Sequence, residues 1–474
     1  GRNIDVKAKA VHARGGFRYL QPANDEPWLG ILAGISTDDG SQAWRYFPEN
    51  LMGKDLVDYL SGAIQGGEAD NATLVYGGNP QLFPYKHNEG QFEVLVPLRN
   101  AKFAFQPDWP ALTNLDIELD FINDGLWMKT DGVNLGGVRA SNLTAVIPDY
   151  SKEKLLIDAD IKGPGKAVGP YFDETPLKDS LGATLQELQL DGDVNARLHL
   201  DIPLNGELVT AKGEVTLRNN SLFIKPLDST LKNLSGKFSF INGDLQSEPL
   251  TASWFNQPLN VDFSTKEGAK AYQVAVNLNG NWQPAKTGVL PEAVNEALSG
   301  SVAWDGKVGI ELPYHAGATY NVELNGDLKN VSSHLPSPLA KPAGEPLAVN
   351  VKVDGNLNSF ELTGQAGADN HFNSRWLLGQ KLTLDRAIWA ADSKTLPPLP
   401  EQSGVELNMP PMNGAEWLAL FQKGAAESVG GAASFPQHIT LRTPMLSLGN
   451  QQWNNLSIVS QPTANGTLVE AQGR

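Results

Sequence analysis

A mostly β chain, made of repeated one-sided strands with only a few short helices, is what the sequence predicts. Three observations carry this. First, residues 96–126 recur at 215–245 without a gap, with twelve identities in 31 positions. These are Val96/Val215, Leu98/Leu217, Arg99/Arg218, Asn100/Asn219, Pro107/Pro226, Leu112/Leu231, Asn114/Asn233, Leu115/Leu234, Phe121/Phe240, Ile122/Ile241, Asn123/Asn242 and Leu126/Leu245. A self-match at fixed spacing marks a repeat architecture. Second, apolar and polar residues alternate: Ala196, Leu198, Leu200, Ile202 and Leu204 against Asn195, Arg197, His199, Asp201 and Asn205. That is the period of a strand with one buried face. Third, helical spacing is scarce. A shorter echo, Leu441-Arg442 followed by Asn455-Leu456-Ser457, hints at a third copy.

Taken in order, residues 4–20 and Trp28–Ser36 read as strands. Leu56, Val57, Leu60 and Ile64 form one face of a short helix, ended by Gly66-Gly67. Strands follow at Thr73–Tyr76 and Gln91–Leu98, then the first repeat copy, whose Ile117, Leu119 and Phe121 precede the turn Asn123-Asp124-Gly125. Leu155–Ile161 is a strand broken by Gly163-Pro164-Gly165. A second helix is expected over Pro176–Leu188, capped by Thr175, with Leu177, Leu181, Leu185 and Leu188 as its stripe. Strand alternation resumes at Leu259/Val261/Phe263 and at Tyr272/Val274/Val276/Leu278. A third helix is placed at Pro291–Leu298, further strands at Tyr320–Leu324 and Leu347–Val353, loops at 335–346 and 396–400, one or two helical turns at Trp417–Phe421, and last strands over Ile439–Val459. Approximate units are 1–70, 71–190, 191–310 and 311–474.

Composition excludes several functions. The net charge of −16 opposes binding to nucleic acid or anionic bilayers. No cysteine is present, so disulfides, thiol catalysis and cysteine-held metals are ruled out. The His residues, at 12, 87, 199, 315, 334, 371 and 438, are scattered without metal-ligand spacing. Asp158-Ala-Asp160 resembles the start of a calcium loop, but Lys162 and Gly169 fall where ligands belong. Gly163–Gly169 misses a dinucleotide fingerprint, and neither a nucleophile elbow nor a phosphate loop occurs. The chain reads as a non-enzyme without cofactor or metal. Seven Asn-x-Ser/Thr triplets occur, among them Asn71 and Asn142, and read as turn asparagines rather than glycan sites. No apolar run reaches the length of a membrane-spanning helix, and the start at Gly1 reads as that of a fragment.

One-sided strands need cover on the apolar side. About 25 strands laid side by side would make a sheet on the order of 120 Å long, which curls or splits. A lengthwise curl leaves a trough, apolar inside; two or three sandwiches satisfy the same pattern. Trp109 and Trp127, in or beside repeat strands, are expected in the trough wall or core.

Short motifs in a fixed order add to this. Tyr46-Phe47-Pro48, Leu56-Val57-Asp58-Tyr59-Leu60, Gly66-Gly67, Phe83-Pro84-Tyr85, Gly90-Gln91-Phe92 and Pro107-Asp108-Trp109-Pro110 resemble the AsmA-like family of bacterial envelope proteins. Pro176-Leu177, Ile202-Pro203-Leu204, Leu234-Ser235-Gly236 and Trp417-Leu418 continue the resemblance down the chain. The resemblance implies an elongated, curled antiparallel sheet forming a repeating β-groove, one continuous periplasmic stretch of an inner-membrane-anchored protein of a Gram-negative bacterium. It implies bridge-like lipid transfer: phospholipid passing between inner and outer membranes with its acyl chains in the groove, by a monomer. The lining expected is Ile117, Leu119, Phe121, Leu198, Leu200, Ile202, Val215, Leu217, Phe238, Phe240, Leu259, Val261, Phe263, Val274 and Val276. The competing readings are a β-repeat scaffold that binds proteins and a glycan-binding β-protein.

Overall fold

A computed structural model describes residues 1–225, 228–427 and 433–474, with side chains for all of these except 180–181, 424–427 and 433. Pro226 of the repeat and the Leu181 side chain of the expected helical stripe lie outside the described residues. The chain divides into two compact units, Gly1–Lys225 with Lys237–Leu245, and Pro226–Gly236 with Gln246–Arg474.

The first unit holds β1 (Ile4–Lys7), β2 (His12–Leu20), β3 (Trp28–Thr37), α1 (Glu49–Met52), α2 (Lys54–Ala63), β4 (Ile64–Gly78), β5 (Gln91–Phe103), β6 (Leu112–Ile122), β7 (Gly125–Leu135), β8 (Val138–Ile147) and β9 (Lys154–Pro164). It continues with α3 (Val168–Asp173), α4 (Ala183–Glu187), β10 (Leu188–Asp191), β11 (Asp193–Pro203) and β12 (Thr210–Ile224). β13 (Ser229–Ile241) and β14 (Asp244–Ser247) have residues in both units. From β1 to β9 each strand pairs antiparallel with the next, and β11 joins β9 to β12.

The second unit holds β15 (Leu250–Trp254), β16 (Gln257–Glu267), β17 (Ala271–Trp282), α5 (Glu292–Asn295), β18 (Leu298–Gly300), β19 (Val302–Pro313), β20 (Thr319–Asp327), β21 (Val331–Ser333), β22 (Ala348–Asn356), β23 (Ser359–Ala366) and β24 (Asn370–Leu377). After these come β25 (Leu382–Ala390), β26 (Gly404–Asn408), β27 (Met412–Asn413), α6 (Gly414–Glu427), β28 (Ala433–Ser434), β29 (Ile439–Leu448), β30 (Gln451–Thr463) and β31 (Gly466–Gln472). Neighbours are antiparallel up to β25; β26 then pairs parallel with both β25 and β29. The mostly β class with few short helices is therefore what the chain adopts, but the pairing is mixed rather than purely antiparallel. Parallel neighbours cannot be joined by a hairpin and need a crossover, which here contains α6.

The repeat has a backbone cause. Asn100 and Asn219 have φ of 49° and 54°, Asn114 and Asn233 of 50° and 52°, and Asn123 and Asn242 of 50° and 52°. Asparagine is the side-chain-bearing residue that tolerates this left-handed region best. Asn100, Asn114 and Asn233 sit where the strand register shifts, so they are bulge residues. Asn123 closes a turn by donating its N–H to the Phe92 carbonyl at 2.8 Å and accepting the Phe92 N–H on Oδ1 at 2.9 Å. Asn242 makes the same pair with Ala211, at 2.6 and 2.9 Å. Asn142 and Asn455 also have positive φ and, like Asn114 and Asn233, precede a buried leucine: Leu143, Leu456, Leu115 and Leu234. The triplets at Asn142, Asn219, Asn233 and Asn455 are thus conformational.

Four helix expectations need correction. The one at Pro291–Leu298 shrinks to α5, and Leu298 already opens β18. α2 ends at Ala63 because Ile64 turns extended, and Gly66-Gly67 lie inside β4. The expected helix over Pro176–Leu188 is a single wide turn at Lys178–Gly182 followed by α4, with α3 ahead of it. Thr175 does cap, its hydroxyl accepting the Leu177 N–H at 3.2 Å. The one or two turns expected at Trp417–Phe421 are part of the longer helix α6, which runs Gly414–Glu427 (14 residues).

Candidate functional site

Residues directly opposite one another on paired strands share a sheet face. In the first unit one such row runs Val96–Leu119–Met128–Ala145–Ile157–Leu200–Ala211, from β5 to β12. Phe121 faces Val94 and Leu126, Ile117 faces Leu98, and Ile202 faces Leu155. Val215 is opposite Ala196 and Leu217 opposite Val194. The Phe240 ring covers Gly213, the partner of Leu198. Phe238, two residues back along β13, is half-buried while Lys237 and Ser239 are exposed. All ten lining residues named for this unit therefore lie on one apolar face.

In the second unit Phe263, Val276, Val308, Val322, Val353 and Leu362 are successive cross-strand partners from β16 to β23. A parallel row runs Val261, Leu278, Gly306, Leu324, Val351, Gly364 and Phe372. A third runs Val274, Ile310, Tyr320, Gly355, Phe360 and Trp376. Leu259, opposite Ala252, completes the five residues named here on one face.

The opposite faces are polar and cross-linked from strand to strand. His199 Nδ1 meets Asp158 Oδ1 at 2.8 Å, pairing the two across neighbouring strands. Arg197 approaches Asp160 at 3.7 Å, and Asn142 donates to the same carboxylate at 2.9 Å, which accounts for the apparent calcium-loop residues. Lys237–Glu214, Lys129–Glu118 and Lys352–Glu323 continue the pattern at 2.8, 3.0 and 3.7 Å. Trp127 is opposite Asp120 on this outer face and 39% exposed, so it is not part of an apolar wall. Its ring covers Gly125. Trp109 packs between Phe105 and Tyr171 in the β5–β6 loop. Burial lifts the Tyr171 phenol to about 12.

The two apolar faces differ in cover. In the first unit Ile117, Leu119, Phe121 and Ile202 are 6, 3, 9 and 1% exposed. They are buried with residues 38–63, the connection between β3 and β4. Within it Asp39 accepts the Ser41 N–H and starts a tight turn over Gly40–Tyr46, followed by α1 and α2. Phe47 sits 5.8 Å from the Phe121 ring, Tyr59 donates to the Phe105 carbonyl at 3.1 Å, and Leu56 and Leu60 are fully buried in the same cluster as Leu98, Leu115 and Ile157. Burial also raises the Tyr59 phenol above its ordinary range. In the second unit Val276, Val308, Val322, Val353 and Leu362 stay half-exposed. The sequence reading missed this covering role, because a four-residue apolar stripe does not say what it packs on. It also missed the glycines that lie under aromatic rings.

A family model described as YhdP protein matches residues 1–474. The chain is 99% identical over 474 residues to the intermembrane phospholipid transporter YhdP of Escherichia coli (strain K12), covering all of this chain and 37% of that protein. The chain thus spans just over a third of the length of the curated relative it matches. No solved structure matches it.

Proposed function

Because the chain belongs to the YhdP family, we propose that its apolar sheet faces hold the acyl chains of phospholipids in transit between two membranes. The observation that supports this most is the row Phe263–Val276–Val308–Val322–Val353–Leu362. It crosses six strands without a polar residue and is half-open. A scaffold that only displays β-surfaces has no need of a partly exposed apolar row, which costs free energy in water. An acyl chain laid on it gains about 0.8 kcal/mol per buried methylene, so about eight methylenes supply roughly 6 kcal/mol. The chemistry is transfer of apolar surface, with no bond made or broken. The fifteen residues named from the sequence are the proposed lining, extended by Val308, Val322, Val353 and Leu362. Among the described residues no helix is long and apolar enough to cross a membrane. The chain is read as a monomeric periplasmic part of a protein anchored in the inner membrane of a Gram-negative cell, serving outer-membrane lipid balance.

The test places a photoreactive aliphatic residue at Val322 and, separately, at its outward neighbour Glu323 in the full-length protein in cells. Phospholipid should crosslink at 322 and not at 323. Lipid at 323 alone would invert the face assignment. Protein crosslinks without lipid at 322 would favour the scaffold reading.

A further inference from the structure

We propose that residues 38–63 are a displaceable cover that occupies the acyl-chain site of the first unit and must swing away before lipid reaches it. The inference rests on the lipid reading of the apolar face and goes beyond it by naming a gate. β3 and β4 are hydrogen-bonded neighbours from Leu29↔Gly78 to Thr37↔Ala69. Antiparallel neighbours need only a tight turn. Residues 38–63 are therefore an insertion into a hairpin, far longer than the roughly two to five residues that the pairing needs.

What the insertion does is fill the face. Leu56 and Leu60 are fully buried, and Leu115, Leu126 and Met128 beneath are at most 1% exposed. No acyl chain fits beside them. Yet the row they cover, Val96 to Leu200, is wholly apolar like the half-open row Phe263 to Leu362 of the second unit. A covering helix and an acyl chain present like surfaces, so one can replace the other with little change in the apolar area exposed.

The attachment suits exchange. Among the described residues, contact with the strands is by apolar side chains, the Tyr59–Phe105 hydrogen bond, and bonds at the two ends: Asp39 N–H to the Thr37 hydroxyl at the entry, and Gln65 Nε2 to the Gly62 carbonyl and Ala104 N–H to the Ala63 carbonyl at the exit. Among the described residues the insertion's ion pair, Lys54 with Asp58, is internal and faces outward. Gly53, at φ 85°, separates α1 from α2, and Gly67, at φ 125°, follows the exit. These positions absorb backbone rotation that other residues resist.

The experiment uses the full-length protein in cells, with a diazirine-bearing aliphatic residue at Leu119 under the cover or at Val322 on the open row. Phe47→Cys and Phe121→Cys are then bridged by a short bifunctional thiol reagent, with Phe47→Cys alone as the treated control. We expect phospholipid labelling at 119 in the unbridged protein and at least a tenfold loss on bridging, reversed when a cleavable bridge is cut. Labelling at 322 but never at 119 overturns the cover and leaves the lipid reading intact. Equal labelling at 119 with and without the bridge also overturns it. No labelling at either position removes the lipid reading and the cover together. Tyr59→Phe tests the same point without thiol chemistry: labelling at 119 should rise at least twofold, and an unchanged yield counts against the cover.

Discussion

The Phe372 ring lies over Gly364, its partner on the neighbouring strand, so closely that a Cβ at 364 would fall 1.9 Å from the ring's Cζ. Phe240 covers Gly213 in the same way, and Tyr320 and Phe360 meet at Gly355. A glycine in a strand weakens it, and a neighbouring aromatic restores the lost contact. Gly364→Ala must lift the ring, at about 1–3 kcal/mol. Phe372→Ala in the same chain should cancel most of that loss. Urea unfolding of the four proteins of this cycle should give a coupling of at least about 1 kcal/mol. Simple additivity would mean the ring is free to move aside.

Leu200 and Asp201 point to opposite faces. Leu200 packs against the first unit's core between Ile157 and Ala211, whereas Asp201 meets Lys154 at 3.4 Å on the outer face. Leu200→Asp sets a carboxylate against apolar surface, at a cost of several kcal/mol unless it is neutralised. Lipid transfer and outer-membrane integrity should fail in cells carrying it. Asp201→Asn should leave both unchanged. Normal barrier function in the Leu200→Asp strain would separate this face from transfer.

The left-handed asparagines set a conformational test. Asn114→Gly should be neutral within about 0.5 kcal/mol, since glycine adopts positive φ freely. Asn114→Val should cost about 1–2 kcal/mol. Denaturation midpoints of the two variants decide it, and equal midpoints would show that the bulge relaxes.

Asp120 gives a pH signature. Burial first, then the negative charges of Glu93 and Glu118, hold its carboxyl above the usual range, and its Oδ1 has no hydrogen-bond partner among the described residues. A raised folded-state pKa means the ionised form is the disfavoured one. The native state therefore loses stability as pH rises through that pKa. Asp120→Asn should raise stability by roughly 0.5 kcal/mol at neutral pH. The gain should shrink as pH falls and the native carboxyl takes up its proton. Melting curves at pH 7 and pH 4 suffice, and a larger gain at pH 4 would contradict the assignment.

The strand faces were legible because period-two alternation is local: Leu198, Leu200 and Ile202 declare their side without knowledge of any partner. The repeat was legible for a related reason. Asn100, Asn114 and Asn123 are identical to Asn219, Asn233 and Asn242 because each holds a left-handed backbone. What was not legible depends on distant contacts. Leu56 and Leu60 mark an amphipathic helix, but nothing local says that it lies over Leu115 and Ile157. Trp127 looks like wall material in a strand of apolar neighbours, yet register puts it opposite Asp120. The parallel pairing of Leu407 with Leu441 leaves no mark on either strand. Gly66-Gly67 misled because two glycines end helices far more often than they continue strands.

Nearest-neighbour pairing also fixes an order of events. From β15 to β25 each strand of the main sheet bonds to a later strand across a connection of at most 20 residues, the longest being 328–347, so each closure loses little entropy. Such a stretch can zip hairpin by hairpin, with the speed that local contacts confer. β26 and β29 cannot, because Leu407 must meet Leu441 across the whole α6 crossover. In pulse-labelled hydrogen exchange the amides of β16 to β23 should be protected first. Those of β26 and β29 should follow as a separate, slower phase.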